Sequence, residues 1–205
     1  MQYITQYESP FGMITLASDG KYLIGLWFLG QENYGNTLDY SNDIAYKSDL
    51  AIFKDVTRWL DCYFDANIPC RLPNLKILGT KLQLAVWKCL MQIPRGSKLK
   101  VEEFYKFFIS RNQEYKSIVS LDILIKTIES NSLSILIPSH RVVGRGRRLC
   151  YPAGAAVLSL LQLIEYKSIE GFNNSEKMLL SEFLGIQMND GEDELENIRR
   201  YAQAA

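Results

Sequence analysis

Ile137-Pro138-Ser139-His140-Arg141-Val142 sets a serine hydroxyl beside the only histidine of the chain. A thiol at such a place, with a reference pKa of about 8.5, is pushed toward thiolate by a neighbouring histidine and is intrinsically nucleophilic. A hydroxyl has neither advantage. Ser139, His140 and the downstream Glu165 match the residue types of a nucleophile, its base and the group that orients the base. Adjacent residues rarely place Oγ and imidazole in that relation, however, and no Gly-x-Ser-x-Gly elbow occurs in the sequence.

Working outward, upstream lie Gly79-Thr80-Lys81-Leu82-Gln83, Val86-Trp87, Leu90 and Ile93-Pro94-Arg95-Gly96. Further upstream are Tyr7-Glu8-Ser9-Pro10-Phe11-Gly12 and Leu60-Asp61-Cys62-Tyr63-Phe64, and downstream Tyr151 leads without a gap to Glu165. In this order the landmarks resemble those of the methylated-DNA-protein-cysteine methyltransferases, the O6-alkylguanine-DNA alkyltransferases. In that family the motif around residue 139 reads Pro-Cys-His-Arg-Val. The resemblance runs from the first strand to about Glu165 and implies an α+β fold. A small N-terminal antiparallel sheet domain with a helix, ribonuclease-H-like, precedes a helical domain carrying a winged helix-turn-helix.

The resemblance also implies roles. Ser139 stands at the alkyl-accepting cysteine, His140 at the base, Glu165 at the group that orients it, and Asn131 at the residue bracing the active-site turn. Tyr151 and Cys150 fall at the substrate pocket, and Val101 at the tyrosine that assists nucleotide rotation and protonates the leaving base. On the DNA-facing helix Asp122 replaces the intercalating arginine, while Ile125, Lys126 and Thr127 replace small residues. A carboxylate at Asp122 repels phosphate, and a branched Ile125 is expected to hold the helix off the groove floor. Leu158 replaces a lysine of the family.

The formal net charge is zero, yet residues 76–148 hold fourteen basic side chains against five acidic, a balance of +9. That segment suits a polyanion, and Arg141 and Arg145, with Arg147 and Arg148, are expected to contact phosphates. Beyond Glu165 the charge turns acidic. Cys62, Cys70, Cys89 and Cys150 form no Cys-x-x-Cys pair and there is one histidine, so neither a zinc site nor a disulfide framework is indicated. No cofactor is expected. No apolar run approaches the ~20 residues of a membrane helix, and the first residues lack a signal-peptide pattern. The expectation is an intracellular monomer, cytoplasmic or nuclear, with double-stranded DNA as partner.

Apolar alternation predicts strands at residues 2–8, 12–18 and 22–29, with a loop from Gly30 to Asn42. Helical periodicity predicts helices at 50–64, 81–91, 101–110 and 118–129, the last two at helix-turn-helix spacing, with Thr80 as the cap of the second. Pro69 and Pro73 place a boundary near residue 74. The expected division is 1–74, 75–166 and an extension at 167–205 that includes a periodic stretch from Glu176 to Ile186. The functional expectation is a homologue of the repair alkyltransferases that does not accept alkyl groups at Ser139 and keeps binding to alkylated DNA. Alternatives are transfer to Cys150, a Ser139-His140-Glu165 hydrolase, and a structural or partner-binding descendant.

Overall fold

A computed structural model describes residues 1–67, 71–144 and 149–170, the last four as helix backbone. Arg145, Arg147, Arg148, Pro69, Cys70 and nearly all of the C-terminal extension lie outside the described residues.

Strands β1 (Gln2–Ser9), β2 (Gly12–Ser18) and β3 (Leu23–Phe28) form an antiparallel meander close to the predicted bounds. At the β2–β3 turn Asp19 Oδ1 accepts from Lys21 N (3.1 Å) and Tyr22 N (2.9 Å). Gly20 there adopts φ 99°, a conformation that costs glycine little. A fourth strand, β4 (Ile44–Tyr46), pairs parallel to β1 at the sheet edge and gives the order β3-β2-β1-β4. Three residues are too few to show a period, so this strand escaped the sequence.

Helix α1 (Ala51–Phe64) buries Ile52, Phe53, Val56, Leu60, Tyr63 and Phe64, the face its periodicity marks. Strand β3 is buried throughout, as expected of a strand covered on both faces. Its free edge is also occupied. Leu26 N donates to Ser132 O (2.8 Å) and Ser134 N to Leu26 O (3.1 Å), so the chain entering the Ser139 motif is stitched to the N-terminal sheet. A single apolar cluster runs from Ile14 in β2 through Ile164 in the last helix.

The second half is built from α2 (Lys81–Leu90), α3 (Val101–Arg111), α4 (Leu121–Glu129) and α5 (Gly154–Glu170). Thr80 caps α2 in a reciprocal box with Gln83, whose Nε2 also donates to Ser130 Oγ (2.9 Å) at the end of α4. Trp87 donates its indole N–H to Thr127 O (3.1 Å), tying α2 to α4. Two short strands, β5 (Leu99–Lys100) and β6 (Val142–Val143), pair in parallel and bring the start of α3 beside the end of the motif. Among the described residues no helix is long and apolar enough to cross a membrane.

Candidate functional site

Two tight turns deliver Ser139. Ile135 takes φ 70°, a left-handed value that is strained for a β-branched residue, while Leu136 N donates to Ser134 O (2.8 Å). Pro138 follows at φ −81°, ψ 63°, with Ser139 N donating to Ile137 O (2.8 Å), an inverse γ-turn. Asn131, fully buried, holds this arc from within. Its Nδ2 donates to Ile137 O (2.8 Å) and to Ser139 Oγ (3.3 Å), and its Oδ1 accepts from Leu133 N (3.0 Å). Asn131 thereby ties the start of the arc to its end.

Ser139 begins a short 3-10 turn, Ser139–Arg141, so the next two side chains fan to other sides of it. Among the described residues the only hydrogen bond of Ser139 Oγ is the one it accepts from Asn131. A donor at that place would stabilise an anionic sulfur; toward a neutral hydroxyl it is an ordinary hydrogen bond.

Glu165, from α5, collects donors at both carboxylate oxygens. Oε1 accepts from His140 Nε2 (2.8 Å), Arg141 Nη2 (2.8 Å) and the Tyr63 hydroxyl (3.2 Å). Oε2 accepts from Arg141 Nε (2.8 Å) and Gly96 N (3.1 Å). Burial alone would push the carboxyl pKa up, but the hydrogen bonds from His140 and Arg141 outweigh it and hold the group well below the carboxylate range. Glu165 is a permanent anion, and Arg141 supplies its counter-charge.

His140 is completely buried, and that burial lowers its pKa below the ordinary 6.5 despite the pull of Glu165. The imidazole is accordingly neutral. The Glu165 contact assigns its proton to Nε2 and leaves Nδ1 as an acceptor, with no protein hydrogen-bond partner among the described residues. Gln162 Nε2 fixes the backbone by donating to His140 O (2.8 Å). Tyr63 is a lasting donor, since burial and then the Glu165 carboxylate push its pKa well up.

A histidine with a depressed folded pKa makes the unfolded chain bind more protons below pH 6.5, and Glu165 does the same below its ordinary 4.5. Stability is expected to hold above pH 6.5 and fall as the solution is acidified, first through His140 and then through Glu165. Because the chain has one histidine, its imidazole resonances should titrate below 6.5 in the native protein while the unfolded chain titrates near 6.5. A native titration at or above 6.5 would exclude this proton placement.

A cavity of about 270 Å³ brings Ser139, Cys150 and Tyr151 together, with Leu158 and Glu129 on its walls. Tyr151 sits edge-on to His140 (6.4 Å, 86°), and burial raises its hydroxyl pKa. Cys150 is exposed, not the buried thiol expected for an inert cysteine, and its N–H donates to Glu129 Oε1 (2.8 Å). Cys89 is buried and Cys62 half-buried.

Three expectations need correction. Val101 is fully buried at the first turn of α3 and is not among the residues lining the cavity; an apolar side chain there belongs to the core. Ile125 is 5% exposed and packs inward with Leu124 and Ile128, so it does not stand between α4 and a groove floor. The outward residues of that helix are Asp122, Ile123 and Lys126. Asp122 lies in the first turn, where the helix dipole favours a carboxylate. Arg141, expected to contact phosphate, is 14% exposed and spends its guanidinium on Glu165 and on Ile93 O (2.6 Å), because a buried carboxylate demands a cation.

Tyr63, Gly96 and Gln162 were missed as members of the site. The period of α1 marks Tyr63 as buried, but nothing local reveals a partner 102 positions away. Among the described residues no group of His, Cys, Asp or Glu is arranged to hold a metal ion.

With the geometry in place, comparison with known proteins is consistent over most of the chain. The 6-O-methylguanine DNA methyltransferase, ribonuclease-like domain family matches residues 2–73. A methylated-DNA–protein-cysteine methyltransferase of Methanosarcina barkeri is 28% identical over 169 residues, 82% of this chain and 99% of that protein. One from Haemophilus influenzae is 28% identical over 186 residues, covering 88% and 97% respectively. The crystal structure of Mycobacterium tuberculosis OGT in complex with DNA shares the fold, with a TM-score of 0.67 at 24% identity over 81% of this chain and 94% of that one.

Proposed function

The chain is homologous to the methylated-DNA–protein-cysteine methyltransferases of DNA repair, and from that premise we propose that it binds duplex DNA without accepting alkyl groups at residue 139. The observation that carries this reading is the state of Ser139. Its hydroxyl accepts from Asn131 at the place where a thiolate would gain from that donor, beside a neutral imidazole braced by Glu165. The hydrogen bonds that join His140 to Glu165 and Asn131 to Ser139 support this reading of their roles, with a hydroxyl where the family has a soft nucleophile.

In this reading residues 1–74 form the supporting sheet domain and its linker, in keeping with the family match to residues 2–73. Residues 75–166 form the DNA-binding domain, a winged helix-turn-helix with α4 as its recognition helix, and 167–205 an extension. The structure in complex with DNA that shares this fold is in keeping with DNA as partner. Exposed Lys126 favours phosphate contact and exposed Asp122 opposes it. The protein is read as an intracellular monomer.

Binding to alkylated and plain duplex at two salt concentrations tests the proposal. A preference for the lesion, lost steeply with salt, is expected. Asp122→Arg should tighten binding and steepen the plot of log K against log salt by about one unit, the weight of one further phosphate contact. No detectable binding of either duplex would discard DNA as partner and leave a structural descendant.

A second reading rests on Cys150, which is exposed and shares the cavity with Ser139 and Tyr151. In it the Cys150 thiolate forms a bond to the alkyl carbon, the carbon–oxygen bond breaks, and guanine leaves as its anion and takes a proton from water. Peptide mapping after incubation with a benzylated-guanine duplex decides: a benzyl group on Cys150 establishes this reading, and an unmodified Cys150 ends it.

A further inference from the structure

We propose that a trough between α1 and the segment that follows it binds a nucleotide, a phosphate monoester carried with a planar base. Two cavities of about 450 and 270 Å³ share Trp59, Arg71 and Leu72 and so adjoin as one recess, of a size suited to a small ligand. Pro138 of the motif lines this recess, whereas Ser139 lines the separate cavity described above. The trough is therefore distinct from the alkyl-group site, and the inference does not rest on the repair reading.

The lining selects the ligand. Arginines 58, 71, 95 and 141 reach the trough against a single carboxylate, Asp55. Asp55 is ion-paired with Arg58, and Arg141 is held by Glu165. Arg71 is exposed and forms no ion pair among the described residues, so its charge is available to an incoming anion. A guanidinium presents a planar fork that matches phosphate oxygens.

Trp59 is the second element. Its ring is half-buried and stacked on Tyr63 at 5.4 Å and 12°, and Tyr63 carries Arg95 over its ring at 4.6 Å. Tyr63 is itself fastened to Glu165, so the platform is rigid before any ligand arrives. An ordered indole beside an available cation recognises a base and its phosphate together, and each base–aromatic stack is worth about 1–3 kcal/mol.

Tryptophan fluorescence of the full chain during titration with guanosine 5′-monophosphate tests the proposal. Of the three tryptophans, Trp27 and Trp87 are 0% and 1% exposed, so quenching by stacking reports Trp59. Saturable quenching is expected, with affinity falling about fivefold or more in Arg71→Ala and the signal disappearing in Trp59→Leu. Circular dichroism verifies that each variant is folded, and the exposed Arg71 keeps the test valid if Trp59→Leu is not. A single-stranded oligonucleotide arm identifies the source: tighter binding than the mononucleotide supports a strand, and weaker binding a free nucleotide. No saturable quenching at millimolar nucleotide, or an unchanged affinity in Arg71→Ala, would overturn the proposal. Inorganic phosphate binding as tightly as the nucleotide would overturn it too, leaving an anion site without a base.

Discussion

Glu165→Ala is expected to destabilise the protein by about 3–5 kcal/mol, the usual cost of removing one partner from a buried ion pair. The substitution strands the Arg141 guanidinium, which is 14% exposed, and takes the acceptor from His140 Nε2, Gly96 N and the Tyr63 hydroxyl together. For a chain of this length about 2–4 °C of melting temperature accompany each kcal/mol, so the transition should fall by roughly 6–20 °C. The Glu165→Leu, Arg141→Met double variant should recover much of that loss, since it leaves no charge unpaired. Thermal melts of both single variants and the double variant measure the coupling. Additive losses in the double variant would show that the two side chains do not act as a pair.

Ser139→Cys is expected to create a reactive thiol and still fail to give efficient repair. The new sulfur would sit where Asn131 Nδ2 donates, and that hydrogen bond favours thiolate. Its pKa, followed by the rate of iodoacetamide alkylation against pH, should lie below the ordinary 8.5. Transfer from a damaged duplex asks for more, because the base must first leave the stack at a cost of a few kcal/mol. On the proposed reading, in which α4 faces DNA, the exposed carboxylate of Asp122 leaves that cost uncompensated, and transfer should stay about a hundredfold or more below that of Ser139→Cys combined with Asp122→Arg. Equal rates for the single and double variants would show Asp122 to be harmless.

How far the sequence carries depends on the range of the contacts involved. The hairpins, α1 and the Thr80 cap rest on local periodicity and capping chemistry, and each was legible within a residue or two. The hydrogen-bond partners of Asn131 and Glu165 could not be read from spacing, since they are fixed by the turn and by α5. Arg141 was misread because a surface arginine and an arginine paired with a buried carboxylate look alike in sequence. Ile125 was misread for a related reason: alignment gives its position along the helix, but the side it presents depends on how α4 packs, and there it packs inward. Tyr63 could not be assigned, because its hydroxyl reaches across from the first half of the chain to α5.

Incubation of the protein with duplex containing O6-benzylguanine, followed by intact mass and peptide mapping, bears most directly on the chemistry of residue 139. An unmodified peptide around Ser139 is the expected result, because its hydroxyl accepts from Asn131 and has no activated proton to lose. A benzyl group recovered on Ser139 would contradict it.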